Sequence, residues 1–247
     1  MTIDAVPRLR GGRRNAESAA LVLHGGSENG LSVTSPTQLS YLRMVDLYAG
    51  LRHRSRHCAV YLLRYRVRGW NPSRHEPDPV IDARWALDRI ADRHNGAPVV
   101  LLGHSMGGRT AFAVADHPQV QGVVGLAPWL PDNEPAPAVG AGQQFVIAHG
   151  TGDAMTSAPL SERYARRLRA AGGAVARFEL SGGHHAMLER PVLWHRFAVA
   201  TTLGLAGDQP MPVGVAKGLA SEDPATLRLS LDQFDVDLVS TGRIDGG

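Results

Sequence analysis

Short runs of consecutive apolar residues alternate along the chain with longer segments in which apolar residues recur at helical spacing. The first run covers residues 19–24 and ends at Gly25-Gly26, and mostly apolar segments of similar length occupy residues 59–65, 99–102, 120–126, 145–148 and 175–180. A run that is apolar at every position is typical of a strand buried on both faces. The pattern therefore predicts about six strands.

The segments between these runs predict helices over residues 38–53, 106–116, 157–171 and 186–204, with a further helix that Asp78 caps and Pro79 opens. This further helix is predicted to bury Ile81, Trp85, Leu87 and Ile90. Strands that alternate with helices imply right-handed crossovers and a mostly parallel sheet. We expect an α/β fold with helices on both faces of the sheet, and functional loops after the strands.

The pattern divides the chain into three parts. Residues 1–18 are rich in Arg and Gly and predict a loose basic arm, and residues 19–206 carry the α/β domain. The extension over residues 207–247 begins with a stretch rich in Pro and Gly. It continues with three leucines that alternate with polar residues, Leu227, Leu229 and Leu231, and then with the apolar residues Phe234, Val236 and Leu238. An added strand pair, a partner-docking segment and a poorly ordered tail all fit this extension.

Composition indicates a globular domain and excludes global disorder, since 43% of the 247 residues are hydrophobic and 20% are charged. The net charge of +3 is small, and Lys217 is the only lysine. Arginines cluster in the N-terminal arm at Arg8, Arg10, Arg13 and Arg14, where an arm that binds nucleic acid or anionic lipid is the alternative to a solvated segment. We expect no nucleic-acid partner, and the oligomeric state stays open.

Cysteine content and hydropathy predict the compartment. Cys58 is the only cysteine and lies in an apolar run, which excludes an intramolecular disulfide and predicts a buried, inert thiol. The sequence shows neither a signal-peptide pattern nor a run of eighteen apolar residues. We therefore expect a cytoplasmic protein with no membrane span.

The strongest chemical signal is the segment Gly103-His104-Ser105-Met106-Gly107, which lies between the predicted strand at 99–102 and the predicted helix at 106–116. A serine at a tight turn from strand to helix adopts strained backbone angles, and the two glycines allow neighbouring backbone to approach. The turn exposes the hydroxyl at the positive end of a helix. Ser105 is therefore predicted to be a nucleophile, although a simple glycine turn could also produce the pattern.

From about residue 19 to residue 204 the chain resembles the α/β-hydrolase superfamily, and most closely its compact, cap-poor members such as dienelactone hydrolases and small esterases. The nucleophile here is serine, whereas dienelactone hydrolases use cysteine and dehalogenases use aspartate. The resemblance implies hydrolysis through a serine ester. It also implies the chain order nucleophile, acid, histidine, each on a loop that follows a strand.

The resemblance implies Asp153 as the acid, because it follows the strand at 145–148, with Asp132 as the alternative. Two adjacent histidines, His184 and His185, follow the strand at 175–180 and compete as the general base. The family pattern of a glycine, a small residue, a variable residue, a histidine and a helix favours His185. Because adjacent side chains point in different directions, only one of the two can reach the nucleophile.

The resemblance also implies an oxyanion hole built from two backbone amides. Met106 would supply one amide, and the loop after the first predicted strand would supply the other, from Gly26 or alternatively from Ser27. His24 and His104 are interpreted as hydrogen-bonded packing residues at strand ends. Other histidines, among them His53, His57, His94 and His117, are expected at the surface.

The segment over residues 127–142 is short and rich in proline, so we expect no helical cap and an open site. Trp70, Trp129 and Leu130 are candidates for an apolar substrate pocket, and the alternative is that the tryptophans seal the end of the sheet.

Together these features predict a serine esterase that acts on a small-molecule carboxylic ester or thioester. Acyl transfer or perhydrolysis with the same triad is one alternative, and a non-catalytic binding module is another. No cofactor is required, and no metal is expected because the chain lacks helical His spacing with a glutamate.

Overall fold

The computed structural model describes residues 5–72 and 76–234, and eight strands within these ranges form one sheet. The strands are β1 Arg8–Gly11, β2 Ser18–Leu23, β3 Cys58–Arg64, β4 Val99–His104, β5 Val120–Leu126, β6 Gln144–Gly150, β7 Ala174–Leu180 and β8 Leu229–Ser230. Their order in the sheet is β1-β3-β2-β4-β5-β6-β7-β8. Every neighbouring pair is parallel except β1 with β3.

The helices are α1 Leu39–Arg54, α2 Asp78–Arg93, α3 Met106–Ala113, α4 Ala158–Ala170, α5 Pro191–Leu205 and α6 Val213–Leu219. Helices α1, α5 and α6 cover one face of the sheet, and α2, α3 and α4 cover the other. Residues 19–23 of β2 are all apolar because both faces of the strand are buried. Ala20 and Val22 face the layer of α1, α5 and α6, while Leu21 and Leu23 face the layer of α2, α3 and α4. No helix in the described ranges has the length and apolar content needed to cross a bilayer.

Part of the N-terminal segment departs from the expectation of a loose arm. Residues 8–11 instead form β1, which pairs antiparallel with β3 and extends the sheet by one edge strand. The pairing satisfies backbone groups on the outer side of β3, and the amide of Gly12 adds a hydrogen bond to the carbonyl oxygen of Val60 at 2.9 Å. Leu9 packs against the core layer beneath it.

The described part of the C-terminal extension packs on the other edge of the sheet. Strand β8 pairs with β7, and Phe234 is 2% exposed in the layer formed by α1, α5 and α6. The guanidinium of Arg177, a fully buried residue of β7, donates to the carbonyl oxygens of Leu227 and Ala158 at 2.9 Å each and pairs with Glu179. The candidate residues Val236 and Leu238 lie outside the described residues.

A second anchor of the extension is Asp208, which lies just after α5. Its carboxylate accepts hydrogen bonds from the backbone amides of three consecutive residues, Arg56, His57 and Cys58, at the start of β3. One carboxylate thus satisfies three backbone donors where β3 begins. The contact joins positions about 150 residues apart in the chain.

Several local predictions are corrected by the structure. Asp78 does not cap α2, because Pro77 occupies the N-cap position and the Asp78 carboxylate accepts from Nδ2 of Asn71 at 2.8 Å. Of the predicted apolar positions of α2, Leu87 and Ile90 are fully buried, but Ile81 is 37% exposed, Trp85 is only partly buried, and Val80 is buried instead.

Two further predictions are wrong. Helix α5 begins at Pro191 rather than at 186, because Met187 and Arg190 adopt positive φ angles of 54° and 55°, which end regular helix geometry. His94 is 7% exposed rather than on the surface, and its Nε2 lies 2.7 Å from the hydroxyl of Tyr61 on β3.

Candidate active site

Ser105 occupies the turn between β4 and α3 with φ 57° and ψ −121°, a backbone conformation that costs energy for any residue with a side chain. The turn is held by hydrogen bonds on both sides. The amide of Ser105 donates to the carbonyl oxygen of Leu126, and the amide of Trp129 donates to the carbonyl oxygen of Ser105, each at 3.1 Å. A Cβ on Gly107 would lie 2.3 Å from the carbonyl oxygen of Leu23, so the close approach of α3 to β2 requires glycine there.

His185 lies on the loop after β7 and bridges Ser105 and Asp153. Its Nε2 is 2.9 Å from Oγ of Ser105, and its Nδ1 is 2.9 Å from Oδ2 of Asp153. A carboxylate only accepts hydrogen bonds, so the proton of the neutral ring is on Nδ1. The lone pair of Nε2 is then free to accept the proton of the Ser105 hydroxyl.

Asp153 is held by the turn that follows β6. Its Oδ1 accepts from the amides of Met155 at 2.8 Å and Thr156 at 2.9 Å, and its Oδ2 accepts from the hydroxyl of Thr156 at 2.8 Å. Burial alone would raise the pKa of the Asp153 carboxyl, but hydrogen bonds from His149, His185 and Thr156 outweigh burial and hold this pKa far below its usual range. Asp153 is therefore ionised at neutral pH.

This depressed pKa predicts that Asp153 stabilises the fold above its unfolded-state pKa of about 3.9, and that the contribution is lost as the pH falls through the acid range. Between the folded and unfolded pKa values the unfolded chain binds one more proton. We expect the free energy of unfolding of the parent protein to fall with decreasing pH more steeply than that of Asp153→Asn. The difference in slope should approach about 1.4 kcal/mol per pH unit.

Urea unfolding at a series of pH values from about 5 down to 2.5 measures this slope. Asp132→Asn is the matched control, because the side chain of Asp132 is 71% exposed and pairs with Arg163 at the surface. The control should leave the slope nearly unchanged. Equal slopes for the parent and Asp153→Asn would contradict the prediction.

The other histidines at this edge of the sheet occupy different positions. His184 is exposed, and its Nδ1 lies 2.8 Å from the carbonyl oxygen of Gly152. His104 is buried, which lowers its pKa to about 3, and its Nε2 donates to the carbonyl oxygen of His185 at 3.0 Å. His104 therefore helps to place the loop that carries His185. Burial also lowers the pKa of His24 to about 4.

The backbone around Ser105 offers amides that could bind an oxyanion. Met106 is the first residue of α3, so its amide has no acceptor inside the helix. The amide of Ser27 donates to the carbonyl oxygen of Arg68 at 3.0 Å, whereas within the described residues the amide of Gly26 has no acceptor. A Cβ on Gly26 would lie 2.4 Å from Cε of Met106, which shows how closely the two segments approach. The geometry thus favours Gly26 over Ser27.

The predicted pocket residues Trp70, Trp129 and Leu130 lie at the same end of the sheet. Both tryptophan rings, however, contact the guanidinium of Arg109. The guanidinium carbon of Arg109 lies 4.0 Å from the ring centre of Trp70 and 4.5 Å from that of Trp129, within cation–π range. Glu134 neutralises Arg109 with an N–O distance of 2.6 Å. Trp129 and Leu130 line a cavity of about 270 Å³ beside Asp153, whereas Trp70 lines no part of it.

Two residues that contact the carboxylate of Asp153 were not predicted from the sequence. Thr156 contacts both Asp153 and Nδ1 of His185, the latter at 3.1 Å from its Oγ1. His149 is fully buried, with Nε2 at 3.3 Å from Oδ2 of Asp153. The spacing Asp153-x-x-Thr156 is a detectable signal, because aspartate often accepts from amides two and three residues ahead in a turn. His149 gave no such signal.

Comparison with known proteins finds similarity to a hydrolase family model and to the folds of solved hydrolases. The sequence model of the serine aminopeptidase family S33 matches residues 73–145, a segment that contains Ser105 but ends before Asp153. This is less than a third of the chain. No curated protein matches the sequence.

Solved structures similar to the chain include three hydrolases. An α/β-hydrolase enzyme from a Medee basin deep-sea metagenome library has a TM-score of 0.64 at 19% identity, over 84% of this chain and 96% of that one. An α/β serine hydrolase without a lid from Xanthomonas campestris has a TM-score of 0.56 at 13% identity, over 80% and 87%. A carboxylesterase from Bacillus cereus has a TM-score of 0.56 at 19% identity, over 79% and 95%. At these identities the likeness concerns the fold.

Proposed function

We propose that this chain, which has the α/β-hydrolase fold, is a serine hydrolase that cleaves a carboxylic ester or thioester through an acyl-serine intermediate. The observation that carries the proposal is the continuous chain of contacts from the Ser105 hydroxyl through His185 to Asp153, with both distances at 2.9 Å. An ionised acid, a histidine whose orientation the acid fixes and a serine within its reach are the components of nucleophilic acyl transfer.

In the first half of the reaction, Oγ of Ser105 attacks the carbonyl carbon while its proton passes to Nε2 of His185. The carbonyl oxygen becomes an oxyanion that the amides of Gly26 and Met106 stabilise, and each such donor contributes about two to three orders of magnitude in rate. The tetrahedral intermediate then collapses, and Nε2–H protonates the departing alcohol oxygen or thiol sulfur. Asp153 stays ionised and stabilises the imidazolium.

In the second half, His185 removes a proton from water, and the resulting nucleophile attacks the acyl-serine carbonyl. Collapse of this second intermediate returns the proton from Nε2 to Oγ of Ser105 and releases a carboxylic acid. The same acyl-serine would serve acyl transfer or perhydrolysis if an alcohol or peroxide replaced water.

An open site supports small or exposed esters as substrates. Residues 127–143, between β5 and β6, form neither a helix nor a strand, so no cap domain covers Ser105 from this side. The lidless hydrolase from Xanthomonas campestris and the carboxylesterase from Bacillus cereus have the same fold. Both likenesses support an esterase.

An ester panel tests the proposal against the peptidase activity that the S33 family model suggests. We expect the parent protein to hydrolyse 4-nitrophenyl acetate and butyrate with kcat/KM on the order of 10⁴ M⁻¹ s⁻¹. Aminoacyl 4-nitroanilides should react at least about 100-fold more slowly, because the carboxylates of Asp153 and Glu134 are already paired, with His185 and Arg109, and are not free to bind an ammonium. Turnover of the anilides alone would favour a peptidase.

A further inference from the structure

A second cavity, of about 310 Å³, lies between α1 and the start of α5, on the side of the triad opposite the cavity lined by Trp129. Its walls are mostly apolar. They include Leu42, Leu47, Leu126, Met187, Leu188 and Trp194. A cavity of this size and lining suits a short hydrocarbon or aromatic group.

Residues next to the triad in the chain or in the sheet line the cavity. Ala186 follows the proposed base His185, and Leu126 accepts through its carbonyl oxygen from the amide of Ser105. Helix α1 begins beside the proposed oxyanion loop, since a Cβ on Gly25 would lie 3.4 Å from Cβ of Ser105 and 3.5 Å from Cβ of Ser40. The start of α1, which lines the cavity, is therefore close to Ser105.

Arg43 brings a positive charge to the cavity. It lies one helical turn after Ser40, is partly buried, and lines the wall. Among residues 5–72 and 76–234, no carboxylate oxygen lies within 4.0 Å of its guanidinium nitrogens. Asp46, the acidic residue that lines the cavity, has a side chain that is 79% exposed, and its Oδ2 lies 3.8 Å from Nε2 of His195. Burial lowers the pKa of Arg43, as expected for a cation that has lost water without gaining an anion.

Trp194 adds an unused hydrogen-bond donor to the same wall. The residue is 2% exposed, and its indole Nε1–H has no acceptor in the described structure. Buried donors usually find a partner, and a buried donor without one loses free energy. The Nε1 atom itself has almost no accessible surface, so the charged group that the cavity offers to a ligand is the guanidinium of Arg43.

We infer that this cavity selects esters with an apolar arm that ends in a carboxylate, and that Arg43 binds the carboxylate. The inference rests on the proposed hydrolase function and names the substrate class for it. Arg43 acts as a specificity-determining residue, whereas bond cleavage is carried out by Ser105 and His185. A guanidinium pairs with a carboxylate through two parallel hydrogen bonds, which favours an anion over a neutral group of similar size.

The test compares charged and neutral substrates of similar size on each side of the ester. Mono-4-nitrophenyl glutarate against 4-nitrophenyl valerate varies the acyl arm, and the butyrate ester of 4-hydroxybenzoate against phenyl butyrate varies the alcohol arm. We expect kcat/KM to favour the charged member of one pair by about 30-fold in the parent protein, and Arg43→Met to reduce that ratio to near one. Activity toward the neutral substrates should change less than about threefold.

Arg54→Met is the matched control, because Arg54 is an exposed residue of the same helix and its loss changes the net charge equally. This variant should keep the preference. A parent protein without preference for either charged substrate would overturn the inference, and so would a preference that survives in Arg43→Met.

Binding separates this inference from the proposed function. In a Ser105→Ala background, calorimetry with monomethyl glutarate and with the butyrate ester of 4-hydroxybenzoate should detect binding of at least one ligand, which Arg43→Met weakens by about 30-fold. Binding that depends on Arg43 without turnover of any ester would refute the hydrolase proposal but retain the site. Binding that is absent, or that does not depend on Arg43, would refute the site.

Discussion

Ser105→Ala is expected to reduce kcat for 4-nitrophenyl butyrate by about five to six orders of magnitude. The alanine leaves the oxyanion amides in place but removes the atom that forms the acyl bond, so the residual rate reflects binding and oxyanion stabilisation alone. Covalent labelling by a fluorophosphonate probe should disappear in the same variant. Steady-state kinetics and in-gel fluorescence of the labelled protein measure the two effects.

Ser181→Ala serves as the control, since Ser181 is an exposed serine on the loop that carries His185. It should retain both labelling and turnover. Labelling that persists in Ser105→Ala would place the nucleophile elsewhere and refute the acyl-serine mechanism.

The second largest loss of activity is expected when His185, the proposed general base, is substituted. His185→Ala should lower kcat by about four to six orders of magnitude, because no other ring nitrogen in the described residues contacts Oγ of Ser105. His184→Ala should retain most of the activity, since the His184 side chain is exposed and contacts the carbonyl oxygen of Gly152 rather than the serine. Ester hydrolysis by the two purified variants, with circular dichroism to verify folding, measures the difference.

The two histidines are neighbours, so the pair of variants controls for disturbance of the loop. A large loss in His184→Ala with little loss in His185→Ala would move the base by one residue. Equal and large losses would indicate that the loop, rather than one ring, determines activity.

The interior of the sheet could be predicted from the sequence because each central strand is buried on both faces. Strands β2, β4 and β5 consist mostly of buried apolar residues, and all three are present close to the predicted bounds. The turns after such strands meet at one edge, which made Ser105, Asp153 and His185 predictable as neighbours. The predicted α/β-hydrolase fold class is confirmed, with eight strands in the described residues rather than about six.

The parts that escaped prediction depend on contacts between distant segments. Strands β1 and β8 have two to four residues each and lie at the edges of the sheet, where partial exposure removes the apolar pattern. The contact of Arg109 with the rings of Trp70 and Trp129 brings together three segments of the chain, so its residues show no common local signal. The same holds for the cavity at Arg43, which needs both α1 and α5 to form.

The contact of Asp208 with the residues at the start of β3 can form only late in biosynthesis. Ribosomes add residues from the N-terminus, so the amides of Arg56, His57 and Cys58 leave the exit tunnel long before the carboxylate that binds them. Until about 150 further residues have been made, β3 can pair with its neighbours, yet its first amides remain solvated. The native fold at this corner is therefore completed late, and a nascent chain stalled before residue 208 would expose the corner to chaperones and proteases.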